Sequence, residues 1–126
     1  MIRCIKTAHI QNSFYDSIRI DLKDNALIFY SYIGNEIIAA TIVLFCNGQM
    51  HAHLGGTKEQ FLPYSPDTLL TYRAALWGHE NGYRTLHLGG GVGGREDSLF
   101  RFKSGFNKKF RTGFCYRKKS IRRSFL

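Results

Sequence analysis

The stretch YRTLHLGGGVGGREDSLFRFKSGF, residues 83–106, decides the fold of this chain. It begins with a predicted strand, Tyr83–Leu88, passes through a glycine-rich turn, Gly89–Gly94, and continues into a short amphipathic helix. Leu99, Phe102 and Phe106 follow one another at intervals of three and four residues, so they share one face of that helix. The pattern therefore predicts a strand, a tight turn and a helix that packs through its apolar side.

The end of that strand repeats a sequence found earlier in the chain. Residues His53–Gly56 and His87–Gly90 both read HLGG. Glycine at a strand end lets the chain bend, or lets a ligand approach the backbone closely. We therefore expect both strand ends to open onto one site, although two ordinary turns would give the same pattern. The candidate residues for binding a substrate or donor there are Gly55, Gly56, Gly89 and Gly90.

Length and composition fit one globular domain, with 126 residues of which 44% are hydrophobic and 21% charged. The longest apolar run, Ile37–Cys46, is too short to span a membrane. The first residues lack the apolar segment of a secretory signal. Three scattered cysteines fit neither a disulfide framework nor a zinc motif. These features predict a reducing, cytoplasmic setting.

The net charge of +9 is concentrated at the carboxyl end. Residues 1–100 carry eight basic and nine acidic side chains, whereas residues 101–126 carry ten basic and no acidic ones. Such a basic arm can attract RNA or an anionic membrane surface, or it can serve only solubility. We expect residues 1–12 to be an N-terminal segment or the remainder of a preceding unit, residues 13–116 to form the domain and residues 117–126 to be a basic tail.

Three strands are predicted in the first half of the chain. Ala26–Ile33, Glu36–Cys46 and Met50–Leu54 are rich in β-forming residues and are separated by short polar turns. Asn47-Gly48 is the strongest short hairpin signal. The three strands should form an antiparallel meander, and Ile2–Lys6 is either an edge strand or part of a preceding segment.

Two helices flank the predicted meander. The first begins at Ser13 and carries apolar residues spaced by four. The second opens with Ser65 as capping residue and Pro66 at its first position, and Gly82 ends it. The residues expected to share one face of the second helix are Leu69, Tyr72 and Leu76, with Leu70, Ala74 and Trp77 beside them.

A strand, a crossing helix and a second strand give a parallel pair. Met50–Leu54 and Tyr83–Leu88 should therefore run in the same direction, with Gly55–Tyr64 as a loop before the helix. The order of elements predicts an α/β (α+β) domain with a mixed sheet, an antiparallel meander followed by a parallel strand–helix–strand unit, and a last strand at Arg111–Arg117. Ligands on such sheets bind at the carboxyl ends of parallel strands.

The glycine-rich turn formally matches GxGxxG, but no acidic residue follows Asp97, so a dinucleotide-binding fold is excluded. Glu96 and Asp97 would also repel a phosphate at the start of the next helix. We expect a tight turn that shapes the wall of a pocket, with Asp97 or Ser98 accepting a hydrogen bond from the first turn of the helix.

His51, His53 and His87 are candidates for a cluster, because alternate side chains of a strand point to the same face. No Cys, Asp or Glu lies at ligand spacing nearby, so no metal site is predicted. A histidine suits general base catalysis near neutral pH, and His53 is the candidate; the alternative for each is a structural histidine held by a hydrogen bond. The His87 ring, the Tyr72 hydroxyl and the Lys103 ammonium are further candidates for contacts with substrate or donor.

Three segments together resemble the FemAB-like or BioF2-like branch of the GNAT acyltransferase superfamily. They are HAHLGGT at residues 51–57, PDTLLTYRAALWGHENGY at 66–83 and LHLGGGVGGREDSLFRFKSGFN at 86–107. Members of that branch have a histidine-containing strand that ends in small residues, followed by a helix with the sequence patterns LL-Y-x-A and W-x-x-E-x-G. A second strand then ends in paired glycines and leads into a helix with the pattern D-S-L-x-x-F-K-x-x-F. The resemblance covers most of the chain, roughly residues 14–114.

The resemblance implies transfer of an acyl group to an amine, with the donor between two splayed parallel strands. CoA-dependent members use acetyl-CoA, whereas FemAB-like members take an aminoacyl group from charged tRNA and extend a peptidoglycan precursor. The Q/R-x-x-G-x-G/A loop that holds the CoA pyrophosphate is absent between Gly56 and Asp67, and Arg73 stands where related helices often carry glutamate. FemAB-like enzymes usually have two such domains, so this chain is either half of one or a stand-alone relative.

Two hypotheses follow. In the first, the chain is an acyltransferase that moves an acetyl or aminoacyl group from acetyl-CoA or aminoacyl-tRNA to an amine acceptor, in cell-wall or surface-polymer metabolism. His53, or a water held by it, would take the proton, and backbone N–H groups near Gly55 or Gly89 would stabilise the oxyanion. In the second, it is a non-catalytic module whose residues 101–126 bind tRNA, other RNA or an anionic membrane surface.

Overall fold

The computed structural model of the chain describes residues 2–5 and 13–109. The predicted strand at Arg111–Arg117 and the tail at 117–126 lie outside these residues. None of the described helices is both long enough and apolar enough to cross a bilayer. In chain order the elements are β1 (Ile2–Ile5), α1 (Ser13–Asp21), β2 (Ala26–Ile33), β3 (Glu36–Cys46), β4 (Gln49–Thr57), a 3₁₀ helix (Glu59–Tyr64), α2 (Pro66–Glu80), β5 (Thr85–His87), a 3₁₀ turn (Val92–Gly94) and α3 (Ser98–Ser104).

The chain forms two compact units, Met1–Gly89 and Gly90–Leu126. The first contains β1 to β5, α1 and α2, and the second contains α3. The predicted domain of residues 13–116 spans both units.

The first unit is built on a five-stranded mixed sheet in the order β1-β2-β3-β4-β5. The first three pairs of neighbours are antiparallel and the pair β4–β5 is parallel. This confirms the predicted α/β architecture, in which a meander is followed by a parallel strand–helix–strand unit. The edge strand β1 pairs with β2, so residues 2–5 are part of the sheet.

The hairpin turns form where the sequence predicts them. Asn47 and Gly48 both have positive φ, 51° and 74°, and Gly34 has a φ of 59°. Two-residue hairpins of the type that matches strand twist need positive φ at both central positions, which Asn and Gly tolerate better than other residues. The Asn-Gly pair therefore sets the β3–β4 connection from local chemistry alone.

Strand β4 is longer than predicted, and the loop prediction for Gly55–Tyr64 is wrong. Gly55 and Gly56 continue the ladder with β3, opposite Thr41 and Ala40. A Cβ atom on Gly55 would lie 3.1 Å from the carbonyl oxygen of Ala40 and 3.2 Å from Thr41 Oγ1. The glycine thus permits a close approach of β3 instead of ending the strand, and the 3₁₀ helix begins only after Thr57.

Helix α2 forms over the predicted residues but packs through a different face. Leu69 and Tyr72 remain 47% and 60% exposed. The buried residues of α2 follow one another every four positions and are Pro66, Leu70, Ala74 and Gly78. Leu70 fills the core, and the small residues Ala74 and Gly78 let the second half of the helix lie close to the sheet.

The prediction that Ser65 caps α2 is also wrong. Ser65 has a left-handed backbone, with φ 49° and ψ 50°, and its side chain makes no capping hydrogen bond. The Asp67 carboxylate instead accepts a hydrogen bond from the Thr57 hydroxyl. That bond ties the first turn of α2 to the last residue of β4.

The core lies between α2 and one face of the sheet. Its buried side chains come from β2, β3, β4 and α2 and are Leu27, Phe29, Ala39, Val43, Met50, Leu70 and Ala74. Trp77 extends it at one end, since its ring lies 5.6 Å from that of Tyr83 and 5.4 Å from that of Phe45. A Cβ atom on Gly78 would overlap the Met50 sulfur. Helix α2 and strand β4 are therefore in close contact at this point.

Replacing Gly78 by alanine should destabilise the chain. We expect Gly78→Ala to lower the free energy of unfolding by about 1–3 kcal/mol, because an added methyl group overpacks a filled core. Urea unfolding followed by Trp77 fluorescence measures the change. In a Met50→Ala background the loss should shrink or reverse, since the space is then available. An equal loss in both backgrounds would contradict the contact.

Candidate active site

The parallel ladder between β4 and β5 is short and ends in a pair of histidines. It joins Gln49 to Thr85, Met50 to Leu86 and His51 to His87. Strand β5 ends at His87, whereas β4 continues six residues further to Thr57. Beyond His51, the side of β4 that faces away from β3 therefore has no β5 partner.

The expectation that the two HLGG segments lie side by side needs correction. The register pairs His87 with His51, so the segment at residues 53–56 is displaced by two residues along β4. The register follows from burial, because Met50 and Leu86 both pack against the core from neighbouring positions. Four identical residues therefore do not occupy equivalent places in the sheet.

A β-bulge lies at His53. Val43 of β3 pairs with Ala52 and Ile42 pairs with Leu54, so β4 has one extra residue between two successive rungs. The Thr41 hydroxyl donates a hydrogen bond to the Leu54 carbonyl, at 3.2 Å, beside the bulge. Bulges redirect side chains and are common next to active sites. The bulge places the exposed His53 side chain near the end of the ladder.

The three histidines form the predicted cluster, and His51 lies at its centre. The Nδ1 atoms of His51 and His87 are 3.1 Å apart. The ring centroid of His51 lies 5.2 Å from that of His87 and 5.8 Å from that of His53. Because Met50 and Leu86 point toward α2, alternation along the strands puts His51 and His87 on the opposite face of the sheet.

Tyr72 does not join this cluster. It lies on α2, which covers the other face of the sheet, and its side chain is 60% exposed. Leu70 and Ala74 point toward the sheet, so Tyr72, two residues from each, points away from it. The structure thus separates Tyr72 from the histidines with which the sequence grouped it.

The four candidate glycines have different surroundings. Gly55 is closely packed against β3, whereas a Cβ atom on Gly56 or Gly90 would meet nothing within 4 Å. Gly89 has a φ of 76°, which favours glycine, and its N–H donates to His87 Nδ1 at 3.2 Å. Gly89 therefore orients His87, which makes its N–H a poor candidate for stabilising an oxyanion.

In the second unit, Asp97 organises the glycine-rich turn and begins α3. Its carboxylate accepts from the N–H of Phe100 at 2.9 Å and from that of Val92 at 3.0 Å. These bonds, with that from Phe100 the larger cause, hold the pKa of Asp97 below its ordinary value of 3.8. A Cβ atom on Gly91 would overlap the same carboxylate. Asp97 therefore caps the helix, as predicted.

Lys103 makes a further hydrogen bond within the second unit. Its ammonium donates to the Gly90 carbonyl at 3.0 Å. Burial lowers the pKa of Lys103 from its ordinary value of 10.5, and the Asp97 carboxylate opposes that change. Helix α3 ends at Ser104, so Phe106, predicted to lie in the helix, follows it, with its ring 5.4 Å from that of Phe102.

The sequence places His51 in the histidine cluster but selects His53 as the base. Only the register shows that His51 pairs with His87 at the centre of the cluster. A second feature, the close contact between α2 and β4 at Gly78, has no clear signal in the sequence. Within residues 2–5 and 13–109, no three His, Cys, Asp or Glu side chains are arranged to hold a metal ion.

A family model described as "Acetyltransferase (GNAT) domain" matches residues 3–104. The match covers all five strands, α1, α2 and α3. Among curated protein sequences, none matches this chain.

Solved structures of aminoglycoside acetyltransferases share the fold. One from an uncultured soil metagenomic sample, in complex with sisomicin, has a TM-score of 0.64 at 12% identity, covering 94% of this chain and 80% of that one. AAC(6')-Iy with the bisubstrate analogue CoA-S-monomethyl-acetylneamine has a TM-score of 0.65 at 14% identity, covering 95% and 98%. The same aminoglycoside N-acetyltransferase with CoA has a TM-score of 0.62 at 16% identity, covering 95% and 100%.

The Asp97 cap should be lost in acid. Because the folded pKa of Asp97 lies below that of the unfolded chain, its contribution is present above pH ~4 and disappears as the pH falls through the folded pKa. A carboxyl carbon titration by NMR should give a midpoint below about 3.9. Asp97→Ala should speed amide exchange at Val92 and Phe100, while Glu96→Ala should not. Equal exchange in both variants would show that the cap is not formed.

Proposed function

Because this chain belongs to the GNAT acetyltransferase family, we propose that it transfers an acetyl group from acetyl-CoA to the amine of an acceptor. The family assignment gives the reaction class, acyl transfer to an amine. The observation that carries the proposal is the end of the β4–β5 ladder at His51 and His87, where β4 continues beside β3 without a β5 partner and next to a cluster of imidazoles. That arrangement combines an open strand edge with groups able to accept a proton.

The donor is proposed to lie along residues 52–57 of β4, which extend beyond the end of β5. Backbone N–H groups of the segment 54–57 that point away from β3 are suited to bind the thioester carbonyl and the oxyanion that forms on it. The structural neighbours that were solved with CoA or a CoA bisubstrate analogue support acetyl-CoA as donor. The segment after β4 forms a 3₁₀ helix and does not contain the Q/R-x-x-G-x-G/A pattern that holds the CoA pyrophosphate in other members.

In the proposed reaction, the neutral amine attacks the thioester carbonyl directly. A C–N bond forms, the C–S bond breaks, and an imidazole of the cluster takes up the proton lost by the nitrogen. CoA leaves as a thiolate, which becomes the thiol when that imidazole returns the proton to it. Holding the amine and the thioester together supplies much of the rate. His53, the base predicted from the sequence, and His51, at the centre of the cluster, are the two candidates on β4.

The acceptor is proposed to be a primary amine of a polar molecule. The aminoglycoside complexes of the structural neighbours suggest amino sugars, whereas the FemAB-like resemblance suggests an amine of a cell-wall precursor. The cytoplasmic setting stays a prediction from the scattered cysteines and the apolar content of the first residues. The FemAB-like resemblance also suggests aminoacyl-tRNA as donor. The basic side chains of residues 101–126 are the feature that favours a polyanion such as tRNA or an anionic membrane surface as a partner.

Acetyl-CoA should bind the full chain and be consumed only when an amine is present. Isothermal titration calorimetry with acetyl-CoA, CoA and aminoacyl-tRNA, at low and high salt, shows which donor the chain binds. Release of CoA thiol with sisomicin, a lysyl peptide or a peptidoglycan precursor then gives the acceptor. Saturable acetyl-CoA binding with amine-dependent thiol release is the expected result.

Failure of acetyl-CoA to bind would contradict the proposal. Binding of tRNA that weakens steeply with salt, without acyl transfer, would instead favour a non-catalytic role for the basic arm.

A further inference from the structure

The hydrogen bonds of the cluster make its three imidazoles inequivalent. His87 Nδ1 accepts a hydrogen bond from the Gly89 N–H, at 3.2 Å. A backbone N–H can only donate, so this nitrogen of His87 must present its lone pair. The same atom lies 3.1 Å from His51 Nδ1. With the Gly89 N–H also donating to His87 Nδ1, the contact between the two rings is a hydrogen bond only if His51 Nδ1 carries the hydrogen and is the second donor to that lone pair.

This pattern determines which nitrogen of His51 can accept a proton. A neutral imidazole carries hydrogen on one ring nitrogen and a lone pair on the other. With hydrogen on Nδ1, the basic atom of His51 is Nε2. The hydrogen bond to His87 thus sets both the tautomer and the orientation of the His51 ring.

The pair responds differently to a proton on each ring. A proton added at His51 Nε2 leaves the Nδ1–H···Nδ1 bond intact and makes it charge-assisted, which strengthens it. A proton added at His87 Nδ1 would oppose two donors, the Gly89 N–H and the His51 Nδ1–H. His51 Nε2 is therefore the atom of the pair to which a proton can be added while the bond between the two rings is kept.

On the two strands that flank β4, few other titratable groups lie on the His51 side of the sheet; Tyr30 of β2 lies on that side two strands away. On β3, Leu44 pairs with His51, and Ile42 and Cys46 lie two residues to either side of Leu44 on the same face. On β5 the neighbours are His87 and, two residues back, Thr85. Among the described residues of these strands, the titratable groups around His51 are therefore His53, His87 and Cys46.

We infer that His51 is the catalytic base and that His87, held by the Gly89 N–H, is its positioning residue; this rests on the acetyl transfer proposed above. As the amine nitrogen bonds to the thioester carbonyl carbon, its proton moves to His51 Nε2. The C–S bond breaks, and the CoA thiolate takes a proton back from His51 Nε2. The ring returns to its starting tautomer, so one amine and one acetyl-CoA give one amide and one CoA thiol.

The tautomer can be measured without any substrate. In ¹⁵N NMR of histidine-labelled protein, His51 should show a protonated Nδ1 and an unprotonated Nε2 at neutral pH, and His87 the reverse. His87→Ala should abolish the His51 preference. A His51 ring protonated at Nε2 in the unmodified chain would overturn the inference.

Kinetics separate the two roles. His51→Asn keeps an N–H that can reach His87 but removes Nε2, so kcat should fall by about 10²–10⁴, and the limb of the pH profile that reports this base should disappear. His87→Ala should lower kcat by about 10–100-fold with little change in KM, and His87→Asn, whose amide oxygen can accept, should restore part of it. His79→Asn, on an exposed residue of α2, is the control and should leave kcat unchanged.

The outcomes distinguish this inference from the proposed function. If His53→Asn loses activity while His51→Asn retains it, acetyl transfer stands and the assignment of His51 is overturned. If acetyl-CoA does not bind but the NMR tautomers are as expected, the proposed function fails and with it the catalytic role, while the His51–His87 hydrogen bond stands. Unchanged unfolding midpoints for the variants ensure that lost activity is not lost folding.

Discussion

The position of Met50 beneath Gly78 is the contact on which the arrangement of the site depends. Because Gly78 has no side chain, α2 lies close to β4 and the Met50 side chain fills the space between them. Met50 is then paired with Leu86 at the next strand, with both side chains in the core. The following rung brings together His51 and His87 on the opposite face. A glycine on one side of the sheet thus determines which residues meet on the other.

Features governed by local chemistry could be predicted from the sequence. The Asn47-Gly48 hairpin follows from the positive φ that these two residues tolerate, and the mixed sheet follows from the order of strands and the crossing helix. Features that depend on tertiary packing could not. The buried face of α2 depends on how closely Ala74 and Gly78 let the helix approach the sheet, whereas hydrophobic periodicity alone does not separate that face from the adjoining one.

The sequence predicts which histidines lie together, but it does not predict which of them pair across the two strands. The repeated HLGG segments directed attention to the ends of β4 and β5, and His51, His53 and His87 do lie together. A repeated tetrapeptide carries no information about register, so it made His53 and His87 look equivalent. The register instead pairs His87 with His51. The glycines also differ in role, because Gly55 allows β3 to lie close to β4, whereas the N–H of Gly89 orients His87.

We propose above all that the donor binds where β4 extends beyond the end of β5. The most direct test is a titration of ¹⁵N-labelled protein with acetyl-CoA, followed by amide chemical shifts. We predict that the largest changes fall on residues 54–57 of β4 and 87–89 after β5. Saturable binding whose shift changes are confined to α1 and the first hairpin, with none at these two segments, would contradict the account.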